Sequence, residues 1–269
     1  MTTPTADDEA EIEATKAPLL EHLVELRKRL IYSLLALAGG FVICFYFAEP
    51  IYAFLTAPLA HALAGQPNDH LIYTALYETF FTYMRVGLFA GLCLAFPVIA
   101  SQIWMFVAPG LYKHERKAFL PFLIASPVLF IIGAGFVYYI VLPFGIHFFL
   151  SFQTQSGKGT IGIELLAKVS DYLDLIMTLI IAFGLTFQMP VALALLGRVG
   201  IVSAAMLRSV RRYAIVGIFA LAAVLTPPDL FSMVSLSIPL VVLYEISILC
   251  VAMIEKNRAK EDAAREADE

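Results

Sequence analysis

The sequence predicts an all-α, polytopic membrane protein: six kinked transmembrane helices in an open, curved bundle, with both termini cytoplasmic. Three observations predict it. Of 269 residues, 60% are hydrophobic and only 15% charged, where soluble domains carry about 25% charge, and mean hydropathy is +0.83. Six apolar stretches approach or exceed the roughly 20 residues needed to cross about 30 Å of hydrocarbon. Lys and Arg gather in alternate connections between those stretches, as expected of the side that is not translocated.

Four stretches, 30–47, 86–112, 118–150 and 175–197, contain no Asp, Glu, Lys or Arg. The fifth, 213–228, and the sixth, 230–254, are divided by Thr226-Pro227-Pro228-Asp229. Two proline rings cannot continue a helix, so a tight hairpin is expected there. At 1.5 Å per residue the fifth stretch spans only about 24 Å, and local thinning of the membrane is expected beside it. Pro97, Pro121, Pro127, Pro143, Pro190 and Pro239 fall within the apolar runs. Each removes a backbone hydrogen bond and tends to kink its helix, which favours a curved bundle over a straight cylinder. Segment 49–78 reads as a loop.

Orientation follows from the basic residues. Arg27, Lys28 and Arg29 precede the first stretch, Lys113, Arg116 and Lys117 follow the second, and Arg198, Arg208, Arg211 and Arg212 follow the fourth. Lys256, Arg258, Lys260 and Arg265 follow the sixth, whereas the alternate loops, 49–78 and 151–174, hold only Lys158 and Lys168. The chain therefore divides into a disordered cytoplasmic tail (1–17), a transmembrane domain (18–254) and a charged cytoplasmic tail (255–269). The polar, acidic start is not a cleavable secretory signal, so the first helix must direct insertion. The acidic excess lies largely in the tails and does not suggest nucleic acid. Cys44, Cys93 and Cys250 sit singly in apolar runs and read as small apolar fillers.

Few residues can carry chemistry. Leu19, Leu23, Leu26 and Leu30 share one helical face, so the helix before the first span should lie along the cytoplasmic membrane surface. Glu25 on that helix can accept a guanidinium in a bidentate pair; the blander alternative, an intrahelical pair with Arg29 at i+4, is the one that spacing favours. Glu115 is the one acid in a basic cluster with Lys113, Arg116 and Lys117. Phe106, Leu111 and Tyr112 beside it can pack an apolar segment or anchor the interface. Gln188 lies mid-span before Pro190, where it either satisfies a carbonyl freed by the proline or binds a partner. Glu245 interrupts the sixth span, either as a functional acid or as one that snorkels or pairs near the interface. Glu78 and Arg85 read as an interfacial ion pair. Gly87 and Gly91 form a GxxxG pair that permits close helix approach. Catalytic machinery and metal-ligand spacing are not visible, and no cofactor is expected.

Together, the run from His22 to Leu30, Ala108-Pro109-Gly110-Leu111-Tyr112-Lys113-His114-Glu115 after Phe106, Ala182-Phe183-Gly184 before Pro190, and Leu225-Thr226-Pro227-Pro228-Asp229 resemble the TatC family, the multispanning subunit of the twin-arginine protein translocase. The resemblance covers about residues 18–256. It implies a receptor for the signal peptides of folded export cargo in the bacterial inner membrane. Such a receptor assembles with the single-span TatA and TatB subunits and is driven by the proton-motive force rather than by catalysis. Glu25 and Glu115 then match the acids that bind the paired arginines, with Arg27, Phe106, Leu111 and Tyr112 around them. Pro58 and Asp229 match extracytoplasmic positions needed for function. Gln188 stands where family members often carry glutamate. Thr226 is retained in a polar partner-docking cluster in which Met233 replaces a glutamine. Six helices enclose no pore for a folded domain, so several copies and recruited partners are expected. The alternative function is a small-solute or proton-coupled transporter using Glu245 and Gln188.

Overall fold

The computed structural model describes the backbone of residues 6–64, 71–107, 116–154, 166–225 and 230–268, with side chains from position 22 to 259 except 107, 116–119, 225, 230–232 and 235. Its elements are α1 (Ala6–Tyr46), α2 (Ala48–Leu63), α3 (Glu78–Val107), α4 (Arg116–Phe136), a π-helical turn (Val137–Val141), α5 (Leu142–Leu150), α6 (Val169–Thr186), α7 (Met189–Val199), α8 (Ala204–Leu225) and α9 (Leu230–Asp268). The fold is all-α, and the described residues add only an isolated bridge between Ile72 and Lys168.

Five helical stretches are long and apolar enough to cross a membrane: His22–Tyr46, Glu78–Phe106, Leu120–Leu150, Val169–Val199 and Leu236–Ala259. Helix α8 is not among them. Its first half carries Arg208, Arg211 and Arg212, and its apolar remainder, 213–225, measures only about 20 Å. The hairpin motif at 226–229 lies outside the described residues, but α8 ends and α9 begins on either side of it and the two pack together. Helix α1 starts at Ala6, inside the segment expected to be a disordered tail, and α9 runs through the other tail to Asp268.

The prolines act locally. Pro143 lies two residues beyond the end of the π-helical turn, where an extra residue per turn absorbs the lost hydrogen bond. Pro190 divides the fourth span: α6 stops at Thr186, Phe187 and Gln188 form a turn, and α7 restarts at Met189 with the proline in its first turn. Gly200 ends α7 at φ 86°, and its N–H and that of Ile201 bond back to Gly197 and Leu196. Such a left-handed cap costs glycine little.

Helices α1 and α3 pack antiparallel along their length. His22 stacks on Phe106 at one end (4.3 Å between ring centroids), and Gly40 meets Gly91 midway. A Cβ on Gly40 would lie 2.6 Å from the Gly91 carbonyl oxygen, and one on Gly87 would lie 3.0 Å from Phe45 Cα. The GxxxG pair thus seats α1. The fourth span is central: Leu173, Ile176, Phe183 and Leu195 are at most 1% exposed. Residues such as Val42, Ile131 and Val216, each 67–68% exposed, turn apolar surface outward, as a bilayer-facing helix requires.

Segment 49–78, expected as a loop, holds helix α2 over its first half. Leu55, Leu59 and Leu63 recur every four residues and are buried, so the helical period was present but too short to stand out among the apolar spans. Pro58 lies inside α2 and cannot bond the carbonyl of Phe54 one turn back. Tyr138 Oη donates to that carbonyl at 2.7 Å, and its ring stacks on Phe54 at 4.4 Å. The next carbonyl, of Leu55, accepts from Tyr172 Oη at 3.3 Å.

Candidate signal-binding site

Glu25 sits where α1 approaches the last turns of α3. Arg29 lies one turn further on, so its guanidinium reaches the carboxylate, donating from Nε at 2.9 Å and from Nη2 at 2.5 Å. Both bonds end on Oε1, leaving Oε2 without a described partner. Arg29 Nη1 donates across to Gln102 Oε1 on α3 at 3.3 Å. The intrahelical pair favoured by spacing is therefore formed, and α3 anchors it. The Glu25 side chain remains 34% exposed and borders a hollow of about 510 Å³ with Lys28, Arg29, Tyr32, Gln102 and Met105.

Phe106 stands one helical turn beyond Gln102 and is fixed by the His22 ring. Arg27 is exposed and does not line the hollow; two residues on from Glu25 it points about 200° around the helix. Leu111, Tyr112 and Glu115 lie outside the described residues. Gln102 and Tyr32 were missed in the sequence. The usable signal was the four-residue spacing of Gln102 and Phe106, which gives both one face of α3.

The intramembrane candidates are occupied. Gln188 Nε2 donates to the Ser126 carbonyl at 2.9 Å and the Gly184 carbonyl at 3.4 Å. Ser126 Oγ donates to Gln188 Oε1 at 2.5 Å and accepts from Trp104 Nε1 at 2.8 Å. Three spans are thereby tied at the break before Pro190. Glu245 pairs with Arg211 of α8 at 2.8 Å, the interfacial pairing that was its blander expectation. Met233 packs against the core, and its carbonyl accepts from Ser237 Oγ. Thr226 and Asp229 lie outside the described residues. Pro58 borders a hollow of about 430 Å³ with His61, Tyr138 and His147.

Glu78 and Arg85 do not pair, contrary to expectation. They are two turns apart on α3, and each finds a nearer partner. Arg85 binds Asp174 of α6 at 2.8 Å. Glu78 turns back to accept from the backbone N–H of Thr74 at 2.9 Å and of Ala75 at 3.3 Å. Its other oxygen is 3.7 Å from Lys168 Nζ. The Ile72 N–H donates to the Ala167 carbonyl, and the Val169 N–H to the Ile72 carbonyl. The segments preceding α3 and α6 thus form one clasp.

Comparison with known proteins agrees with this architecture. Residues 21–239 match the family described as Sec-independent protein translocase protein (TatC). The chain is 51% identical over 252 residues to a Sec-independent protein translocase protein TatC of Magnetococcus marinus, covering 94% of this chain and 90% of that one. It is 40% identical over 231 residues to that of Escherichia coli strain K12, covering 86% of each. Its fold matches a crystal structure of the twin-arginine translocase receptor TatC with a TM-score of 0.73 at 38% identity, over 87% of this chain and 99% of that one. These likenesses support a translocase subunit over the small-solute transporter alternative. The chain belongs to the TatC family of Sec-independent protein translocase proteins.

Proposed function

We propose that this subunit binds the paired arginines of a twin-arginine signal at the end of the bundle where the first span begins and α3 ends. The observation that supports this most directly is the Glu25 carboxylate: half-buried, held through Oε1 by Arg29, and bordering a hollow that Gln102 and Tyr32 complete. Oε2 is available to an incoming guanidinium. A planar, bidentate, charge-assisted contact selects arginine over the point charge of lysine. Glu115, between the end of α3 at Val107 and the start of α4 at Arg116, takes the second arginine. Phe106, Leu111 and Tyr112 receive the apolar part of the signal, and Arg27 contributes to the surrounding surface.

On this reading the basic end of the bundle faces the cytoplasm with both termini, in a bacterial inner membrane. Helix α8 makes a sixth, short crossing beside which the bilayer thins. TatA and TatB dock on the helices, with Thr226, Met233, Gln188 and Glu245 as the candidate contact region, and Pro58 and Asp229 serve on the extracytoplasmic side. Several copies act together, the proton-motive force drives transport, and no catalytic step or cofactor is involved.

The test is site-specific photocrosslinking from positions 28 and 105, which border the same hollow, to a signal carrying Arg-Arg or Lys-Lys. Crosslinks to Arg-Arg alone, lost on Glu115→Arg, are expected. Equal crosslinking of both signals, together with unchanged export by the variant, overturns the assignment.

A further inference from the structure

A concavity of about 780 Å³ opens at the other end of the bundle from Glu25. Helix α6 forms its floor through Leu175 and Leu179, α5 one wall through Phe144 and Phe149, and α9 the other through Leu236 and Ile238. Lys168 and Asp171 are the charged residues among its lining, and both belong to the first turn of α6 or its cap. From Asp171 to Leu179 the helix rises about 12 Å, close to the roughly 15 Å that is half the hydrocarbon thickness. The cavity is thus an apolar slot through most of one leaflet, with one cation and one anion at its rim.

Apolar side chains of three helices line the slot from rim to floor, the surroundings that acyl chains require. The rim complements a zwitterion. Lys168 Nζ stands 3.7 Å from Glu78 and has donors to spare for a phosphate. Asp171 is exposed, and its described contact is a bond accepted from the neighbouring Ser170 hydroxyl. It can therefore accept from a primary ammonium.

We propose that this slot binds one phosphatidylethanolamine, with acyl chains along Leu175 and Leu179, phosphate on Lys168 and ammonium on Asp171. The site does not depend on the signal-binding proposal.

Gly145 provides a clean test, because it lines the slot and a Cβ there meets nothing within 4 Å. Gly145→Leu therefore extends a side chain into the slot from an unobstructed first carbon, and an unchanged melting temperature verifies that no neighbour is displaced. The full chain, purified in detergent, is titrated with phosphatidylethanolamine, phosphatidylcholine and phosphatidylglycerol of identical acyl chains, and bound lipid is counted by native mass spectrometry. One phosphatidylethanolamine per chain is expected, retained at least tenfold better than phosphatidylglycerol. Phosphatidylcholine should also be weaker, because its quaternary ammonium cannot donate a hydrogen bond. Gly145→Leu lowers retention of all three about tenfold, and Asp171→Asn erases the headgroup preference. Equal retention of the three lipids overturns the proposal, as does retention untouched by Gly145→Leu. So does a photocrosslinker at position 175 that captures a protein helix in membranes instead of lipid.

Discussion

Gly40 and Gly91 bring the backbones of α1 and α3 into direct contact: a methyl group on Gly91 would stand 2.6 Å from the Phe41 amide nitrogen, and one on Gly40 2.6 Å from the Gly91 carbonyl oxygen. Backbone cannot step aside as a flexible side chain can. Gly91→Ala is therefore expected to cost about 1–3 kcal/mol through overpacking, and Gly91→Leu to part the helices. Thermal unfolding in detergent measures the first. Faster hydrogen exchange along α1 measures the second. Gly217, whose Cβ would meet nothing within 4 Å, is the control that should tolerate alanine.

Tyr138 supplies the hydrogen bond that Pro58 denies to Phe54. Tyr138→Phe is expected to destabilise by about 1 kcal/mol, the usual net value of such a bond. Replacing Pro58 by Ala restores an N–H to the same carbonyl, so the double variant should lose less than the sum of the two single losses. A double-mutant cycle on melting temperature reads this coupling. Strict additivity would show that the hydroxyl and the proline act independently.

The Trp104–Ser126–Gln188 chain can be watched through its own chromophore, because Trp104 is the one tryptophan in the sequence. Ser126→Ala leaves the indole N–H and the Gln188 carbonyl oxygen unpaired, at a cost of about 1–3 kcal/mol, and should shift the tryptophan emission. Gln188→Glu replaces a donating nitrogen by an oxygen facing the Ser126 carbonyl. Two acceptors then face each other without a donor between them, and a lower melting temperature than that of the parent chain is expected.

Arg29 and Glu25 should contribute unequally to signal binding. Both Arg29 bonds fall on Oε1, so Arg29→Ala removes the orientation of the carboxylate but not the carboxylate itself. A loss of about threefold in signal crosslinking is expected, against tenfold or more for Glu25→Ala, which removes a charge-assisted pair of about 1.5–3 kcal/mol. Equal losses would show that Arg29 contacts the signal directly.

Glu245 is committed to Arg211, which predicts the failure of a transporter assay. Proteoliposomes containing this chain alone should show no solute uptake that Glu245→Gln abolishes. The variant should instead loosen α8 from α9, read as faster hydrogen exchange in α8, and Arg211→Gln should do the same.

The membrane fold was legible because its cause is compositional: runs without charge and one-sided Lys and Arg leave little choice. The break at Pro190 was equally plain, since the missing N–H is a property of the residue itself, whereas α3, α4 and α9 run on through Pro97, Pro121, Pro127 and Pro239. Helix α2 escaped notice because Leu55, Leu59 and Leu63 give a helical period of only two turns, carrying a proline that ordinarily argues against a helix. Local pairing was readable where four residues separate the partners, as with Glu25 and Arg29. It failed for Glu78 and Arg85, whose true partners, Lys168 and Asp174, lie on another element and are brought near only by folding. The Gln188 contacts were beyond reach for the same reason: Ser126 lies 62 positions away and has no pattern that marks it.

The clasp before α3 and α6 has a mechanical consequence. Ile72 bonds on both sides to the strand-like segment at Lys168, while Glu78 caps one segment and faces the cation of the other. Two long helices pinned together at one tip behave as tweezers: they part, if at all, at the free tips. In this molecule the opposite tips are joined by side chains, Trp104 to Ser126 to Gln188, so widening of the bundle would break those contacts before the backbone bonds of the pinned end.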